Sequence, residues 1–258
     1  MKKLIAALLL SLSTLSSATT LTRDYSDLWY NANEAGWGVN VIQQGDILFM
    51  TLFVYSTTSS PVWYVASTVQ FTSTTGQNQA FTGQLFQTSG PWFGAAFNPV
   101  LVTTQPVGTI TFTGTSPTTA TLSYTVSGVT VNKNITRQTW RNETLAGVYQ
   151  GATIGAYSGC ASNGAYDSAA SSFTITQAAS SVTISEFGTG YQCTYVGNYT
   201  QAGRMGTVTG TGSCSPGNVA EVFTLSEVQV SPEGLTGRLV TDAGACRFTG
   251  RIGGLRRQ

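Results

Sequence analysis

The sequence contains no histidine, the side chain that most often serves as a general base and as a metal ligand. Its absence removes the usual serine and cysteine triads, and no nucleophile, phosphate-loop or dinucleotide motif occurs in a suitable context. Paired carboxylates, as in glycoside hydrolysis, would still be possible, but the acidic residues are scattered without a paired motif. We therefore expect a protein that is not an enzyme and that carries no metal or other cofactor.

Charge is also scarce, at 9% of the residues against about 25% in ordinary soluble domains. No charged residue lies between Asp46 and Lys133, where Thr, Ser, Gln and Asn supply the polarity. Without Lys2 and Lys3, ten basic and eleven acidic side chains remain, so the chain has no basic footprint for nucleic acid. Low charge also removes the repulsion that keeps proteins apart, so self-association is an open alternative.

Long hydrophobic runs are absent after the first twenty residues, so we expect no transmembrane helix. The first twenty residues themselves have Lys2 and Lys3, an apolar run over residues 4–15, and small residues at 16–18. This order of features predicts a cleavable signal peptide over residues 1–18. The expected location is therefore the periplasm or the cell exterior.

Aromatic and cysteine residues divide the rest of the chain into two halves, which predicts domains at 19–141 and 142–258. All five tryptophans lie before residue 141, and all four cysteines lie after it. The tryptophans are Trp29, Trp37, Trp63, Trp92 and Trp140.

Both halves consist of short apolar segments separated by turn signals, with no helical periodicity. This pattern predicts an all-β protein of two small antiparallel meander β-barrel domains, or sandwiches, after the signal peptide. One segment, residues 47–54, is apolar on both faces. Because a half-solvated strand should alternate, we expect its outer face to be covered by the second domain, another subunit or a loop.

Four cysteines in an exported domain predict two disulfides. A hairpin turn at Gly203 and Arg204 would set Cys193 directly opposite Cys214, which leaves Cys160 to pair with Cys246. The latter two lie near the first and last strands of the half, which are neighbours in a closed barrel. No C-x-x-C spacing occurs, so a zinc site is not expected.

The most distinctive segment, residues 28–38, combines tryptophan, tyrosine and asparagine with one glutamate. Exposed aromatic rings beside amide groups are typical of sites for sugars and other amphipathic ligands. The alternative is that these rings fill the barrel core, and that Glu34 simply pairs with Arg137 or Arg141. The predicted ligand-binding residues are Trp29, Asn31, Glu34, Trp37, Trp63, Tyr64 and Trp92.

Residues 28–140 resemble a domain widespread in exported proteins of Gram-negative bacteria, with the pattern W-x-N-x-x-E-x-G-W-G, then Q-G-D and finally T-R-Q. The opening and the meander are also similar in outline to avidin-type barrels. The resemblance implies export but no particular activity, since fold does not determine function. The matching residues are Trp29, Asn31, Glu34, Gly36, Trp37, Gly38, Gln44, Gly45, Asp46, Trp63, Tyr64, Gly90, Pro91, Thr136, Arg137 and Gln138.

Taken together, these features predict an exported, non-catalytic binding or adhesion module of the cell envelope or exterior, with an aromatic-lined site in the first domain. Its partner would be a small molecule, a glycan or a protein. The alternatives are a self-assembling structural subunit, suggested by the uncharged strands, and an envelope inhibitor of a foreign hydrolase, a role that suits small disulfide-linked β-domains.

Overall fold

The computed structural model describes residue 21, residues 23–216 and residues 219–257. The predicted signal peptide, residues 1–18, lies outside the described residues. The described chain forms two closed antiparallel barrels of eight strands each, which confirms the predicted fold class in its barrel form. Within this part of the chain, no helix has the length and apolar character needed to cross a membrane.

The first barrel is a simple meander in which each strand pairs with the next and β8 closes the barrel against β1. A short 3-10 helix, Pro99–Leu101, lies in the connection between β5 and β6. The strands are β1 (Asp27–Tyr30), β2 (Gly38–Gln44), β3 (Ile47–Tyr55), β4 (Pro61–Thr75), β5 (Asn78–Ser89), β6 (Thr103–Gly114), β7 (Thr119–Val126) and β8 (Val129–Arg137).

The second barrel repeats this meander, and β16 closes it against β9. Its strands are β9 (Gly147–Ser158), β10 (Gly164–Ala178), β11 (Ser181–Gly188), β12 (Tyr191–Ala202), β13 (Met205–Ser215), β14 (Val219–Val230), β15 (Gly234–Ala243) and β16 (Cys246–Arg256).

Aromatic rings fill the interior of the first barrel. Tyr25, Trp29, Phe81 and Phe112 are fully buried, and their rings meet in tilted or edge-to-face contacts with centroids 5.2 to 6.4 Å apart. Alternate residues of each strand supply this core, as the two-residue period of a strand requires. The first barrel is therefore a packed body.

The outer face of β3 is open to solvent in this chain. Phe49 and Phe53 are 40% and 49% exposed, so neither the second barrel nor a loop covers them in the described part of the chain. The sequence predicted that the second domain, another subunit or a loop covers this face. The predictions of the second domain and of a loop are therefore wrong. Cover of this face by another subunit stays a prediction.

Both disulfides are formed, in the pairing that the hairpin register predicts. Cys193 and Cys214 are direct cross-strand partners on β12 and β13, with their Cα atoms 4.0 Å apart. Cys160, just after β9, is bonded to Cys246 at the start of β16, with a Cα separation of 4.3 Å. The second bridge therefore ties together the two strands that close the barrel.

The two barrels meet through a buried guanidinium and the β12–β13 turn. The Arg137 side chain is fully buried, and its Nη1 donates to Asp27 Oδ2 at 3.1 Å. The same carboxylate oxygen accepts from the backbone N–H of Arg204 at 2.8 Å, across the interface. Arg204 also pairs with Asp24 at 2.8 Å. The turn end of the second barrel is therefore its attached end, and the opposite end of the barrel is its free end.

Candidate ligand-binding site

The structure assigns Trp29 to the core of the first barrel. Its indole is fully buried, and Nε1 donates to the backbone oxygen of Tyr25 at 2.9 Å. The Arg137 guanidinium lies 4.7 Å from the ring centroid, within cation–π range. The N–H group and a face of the Trp29 ring therefore contact other parts of the protein, and the ring is not accessible to a ligand.

Glu34 forms a closed polar cluster with Trp37 and Lys133. Its Oε2 accepts from Trp37 Nε1 at 3.0 Å and from Lys133 Nζ at 2.7 Å. The hydrogen bond from the Lys133 ammonium is the main cause that holds the pKa of Glu34 below its ordinary value; desolvation opposes it, and the hydrogen bond from the Trp37 indole acts in the same direction as Lys133. The expected pairing of Glu34 with Arg137 or Arg141 is therefore wrong, because Lys133 on β8 lies closer. The Asn31 side chain accepts from Asn33 N and shapes the turn before β2.

The other predicted site residues of the first barrel point in different directions. Tyr64 packs against the core, whereas its neighbour Trp63 points outward and is half exposed. Trp92 is 69% exposed in the β5–β6 connection and contacts Phe93. The structure therefore brings Glu34 and Trp37 together but does not gather the seven residues around one cavity.

A cavity of about 230 Å³ opens instead at the free end of the second barrel. It lies inside the ring of strands, near the end of β9 and the start of β12. The interior of an eight-stranded barrel can hold one small ligand. Its lining residues are Thr153, Tyr157, Tyr166, Glu186, Tyr191, Cys193, Tyr195, Cys214, Ser215, Pro216, Glu221, Leu239, Thr241 and Phe248.

Four aromatic rings form a continuous wall in this cavity. Tyr166 lies edge-to-face with Tyr157, Tyr191 and Phe248, at centroid distances of 5.6, 6.4 and 5.9 Å. Tyr157 also contacts Phe248 at 5.1 Å. Because the ring planes are steeply inclined to one another, the wall presents both faces and edges to its surroundings.

Glu186 places a carboxyl group on the inner side of this wall. It follows Val182 and Ile184 on the inward face of β11 and is only 2% exposed. Its Oε1 accepts hydrogen bonds from Thr153 Oγ1 and Tyr191 OH, both at 2.8 Å. No described side chain donates to Oε2. Burial is the main cause that raises the pKa of Glu186, and Glu221 contributes in the same direction.

Glu221 supplies a second carboxyl group beside the Cys193–Cys214 disulfide. Its Oε1 lies 3.7 Å from Cys214 Sγ, and the Tyr195 hydroxyl lies 3.8 Å from the same sulfur. Burial, assisted by Glu221 and Glu186, raises the pKa of Tyr195 above its ordinary value. The described lining residues thus include two acids and no base.

A larger hollow of about 730 Å³ lies near the attached end of the second barrel, where β9, β15 and β16 are rich in glycine. It is open to solvent over most of its extent and has no aromatic wall. We therefore regard the cavity at the free end, which is the more enclosed of the two, as the candidate site. Among the described residues, no group of three His, Cys, Asp or Glu side chains could hold a metal ion.

The sequence analysis did not identify this site, although one signal was present. The alternation of Val182, Ile184 and Glu186 puts a carboxylate on the core face of a strand. The tyrosines could not be assigned in the same way. Tyr157 and Tyr166 flank a stretch rich in glycine and serine that resembles a loop.

Comparison with family models, with curated proteins and with solved structures finds no match for this chain. The resemblance of residues 28–140 to an exported bacterial domain therefore stays a prediction.

Proposed function

We propose that this chain is an exported, non-catalytic binding protein whose ligand site is the cavity at the free end of the second barrel. One observation carries the proposal: Glu186 is buried inside that cavity with no cationic partner among the described residues. An isolated buried carboxyl group costs stability, and a barrel selected only for stability would place an apolar residue there.

A second buried glutamate provides the contrast. Glu227 is 5% exposed, and Arg251 and Arg23 lie 3.2 and 3.9 Å from its carboxylate oxygens. That arrangement compensates the charge within the protein. Glu186 instead has two neutral donors on a single oxygen, and no described side chain donates to Oε2.

Two disulfides fit an oxidising, exported location. The predicted signal peptide supports export to the periplasm or the exterior. The volume of the cavity supports binding rather than hydrolysis, because a glycoside cleft must hold sugar units on both sides of the bond between its two carboxyl groups. The proposal moves the predicted aromatic site from the first barrel to the second, where the rings enclose a cavity.

Ligand-observed NMR with a panel of compact cations, neutral molecules and anions tests this function. Ser215→Trp should block the cavity rim, because Ser215 lines the cavity and is solvent-exposed. Thr211→Trp, on the same strand but not in the lining of the cavity, is the matched control. We expect at least one of these three classes of compound to bind the wild type and Thr211→Trp but not Ser215→Trp. Binding of no class, or equal binding to Ser215→Trp, would overturn the proposal.

Self-assembly is a second candidate, supported by the outer face of β2, β3 and β4. Ile42 faces Phe49 across one strand pair, and Phe53 faces Trp63 across the next, all four of them exposed. Exposed apolar patches of this kind often mark interaction sites. Phe53→Thr should then lower association in sedimentation velocity, whereas Val129→Thr, on β8, should not. A wild type that stays monomeric at high concentration would exclude this candidate.

A further inference from the structure

We propose that the ligand of the second-barrel cavity is a small organic cation, such as a compact quaternary or alkyl ammonium. This inference rests on the proposed function and specifies the chemistry of its ligand.

The charges of the cavity provide the first step. Glu186 and Glu221 line it, and the described lining contains no basic side chain. The nearby Arg247 is exposed at the β15–β16 turn, where it lies 3.7 Å from Asp242. An anion in the cavity would meet two carboxyl groups in a poorly screened environment, and a neutral molecule would leave Glu186 without a counterion. A cation would avoid the repulsion that an anion meets and would supply the counterion that a neutral molecule lacks.

The aromatic wall provides the second step. The planes of Tyr166 and Tyr157 meet at 82°, and those of Tyr166 and Phe248 at 87°. Rings at such angles form a corner in which a cation can contact the negative face of one ring while its alkyl groups pack on another. Aromatic cages that recognise quaternary ammonium groups use this chemistry.

The depth and volume of the cavity provide the third step. The carboxyl group is 2% exposed, so a ligand that reaches it gives up most of its hydration. An organic ammonium is weakly hydrated compared with an inorganic cation, and its alkyl groups gain from apolar contact. About 230 Å³ admits a compact molecule but leaves no room for an extended one.

The affinity for a cation should depend on pH because it requires ionised Glu186. Burial raises the pKa of this group, so affinity should rise as the pH increases through that pKa. The titratable groups of the cavity are Tyr157 on β9, Tyr166 on β10, Glu186 on β11, Tyr191 and Tyr195 on β12, and Glu221 on β14.

Isothermal titration with three molecules of nearly equal shape tests the inference. The probes are choline, its neutral carbon analogue 3,3-dimethylbutan-1-ol, and the anion 3,3-dimethylbutanoate. We expect choline to bind about thirtyfold more tightly than either analogue, since a desolvated cation–π contact supplies about 2 kcal/mol and each step of about 1.4 kcal/mol is a factor of ten in affinity. Glu186→Gln should remove most of this preference and its pH dependence. Glu233→Gln, an exposed carboxylate at the attached end, is the charge-matched control.

Substitution of one ring separates the aromatic contribution from the charge. Tyr157→Leu should weaken choline binding and leave the neutral analogue nearly unchanged, whereas Tyr157→Phe should retain choline binding because the ring face remains.

The outcomes distinguish this inference from the proposed function. Equal or tighter binding of the neutral or anionic probe would overturn the cation and leave the binding function standing. If none of the three probes binds while the NMR panel finds another ligand that Ser215→Trp blocks, the cation alone is overturned. Failure of both experiments would overturn both proposals.

Discussion

Removing each disulfide separately should destabilise the second barrel by different amounts. Cys160 and Cys246 are separated by 86 residues, and Cys193 and Cys214 by 21 residues. The chain-entropy relation gives losses of about 4.6 and about 3.3 kcal/mol in the free energy of unfolding for loops of these lengths. The longer loop should therefore cost about 1.3 kcal/mol more, because it restricts the unfolded chain more strongly.

Two double variants isolate this effect. Cys160→Ser with Cys246→Ser removes a half-buried bridge, and Cys193→Val with Cys214→Val fills the place of the buried bridge with side chains suited to a strand. Urea unfolding followed by far-ultraviolet circular dichroism gives the free energies. Since four of the five tryptophans lie between the start of β1 and the end of β8, tryptophan fluorescence reports mainly the first barrel and serves as an internal control.

A larger loss for the shorter loop, or losses below about 1 kcal/mol in both variants, would refute the entropic reasoning. An equal shift of the tryptophan signal would show that the two barrels unfold as one cooperative unit through the contacts of Arg137 and Arg204.

Two further predictions concern buried charges. Arg137→Met should cost about 3–5 kcal/mol of unfolding free energy because it leaves Asp27 buried without its cation. Lys133→Met removes one partner of a half-exposed pair and should cost below about 1 kcal/mol. Urea unfolding monitored by tryptophan fluorescence measures both losses, and similar losses would contradict the conclusion that only the Arg137 pair is buried. For Glu186, the raised pKa means that the folded state retains the proton to higher pH than the unfolded chain, so this group removes stability as the pH rises above 4.5. The advantage of Glu186→Gln over the wild type in thermal midpoint should therefore grow from acid to neutral pH, and a constant difference would show that Glu186 is not responsible.

Alternation of apolar residues was sufficient to predict the meander but not every strand end. The first part of β10, Gly164–Ala178, consists of small and polar residues, so the sequence suggests a loop there. The barrel nevertheless needs that segment, because it pairs with β9 and completes the sheet. Tertiary closure thus determines a strand that local propensity does not favour.

The aromatic site was harder to predict because β3 and β4 are apolar on both faces. Leu52 pairs with Tyr64, and both point into the barrel, whereas Phe53 pairs with Trp63 and both point outward. Where both faces are apolar, hydrophobicity does not reveal which side is the core, and only the register decides it. The sequence therefore showed where aromatic residues are concentrated in the first half but could not determine which rings share a cavity.

The location of the disulfides connects the stability of the second barrel to its cavity. Both bridges lie at the free end, Cys160–Cys246 beside the closing strands and Cys193–Cys214 in the cavity wall. The attached end is held by the contacts of Arg204 with Asp24 and Asp27. A cavity deprives the strands around it of packing contacts, so that end gains most from covalent cross-links. Under the proposed function, the same cross-links would fix the rings and Glu186 before a ligand arrives, which would lower the entropic cost of binding. The first barrel, with a filled aromatic core, has no cysteine.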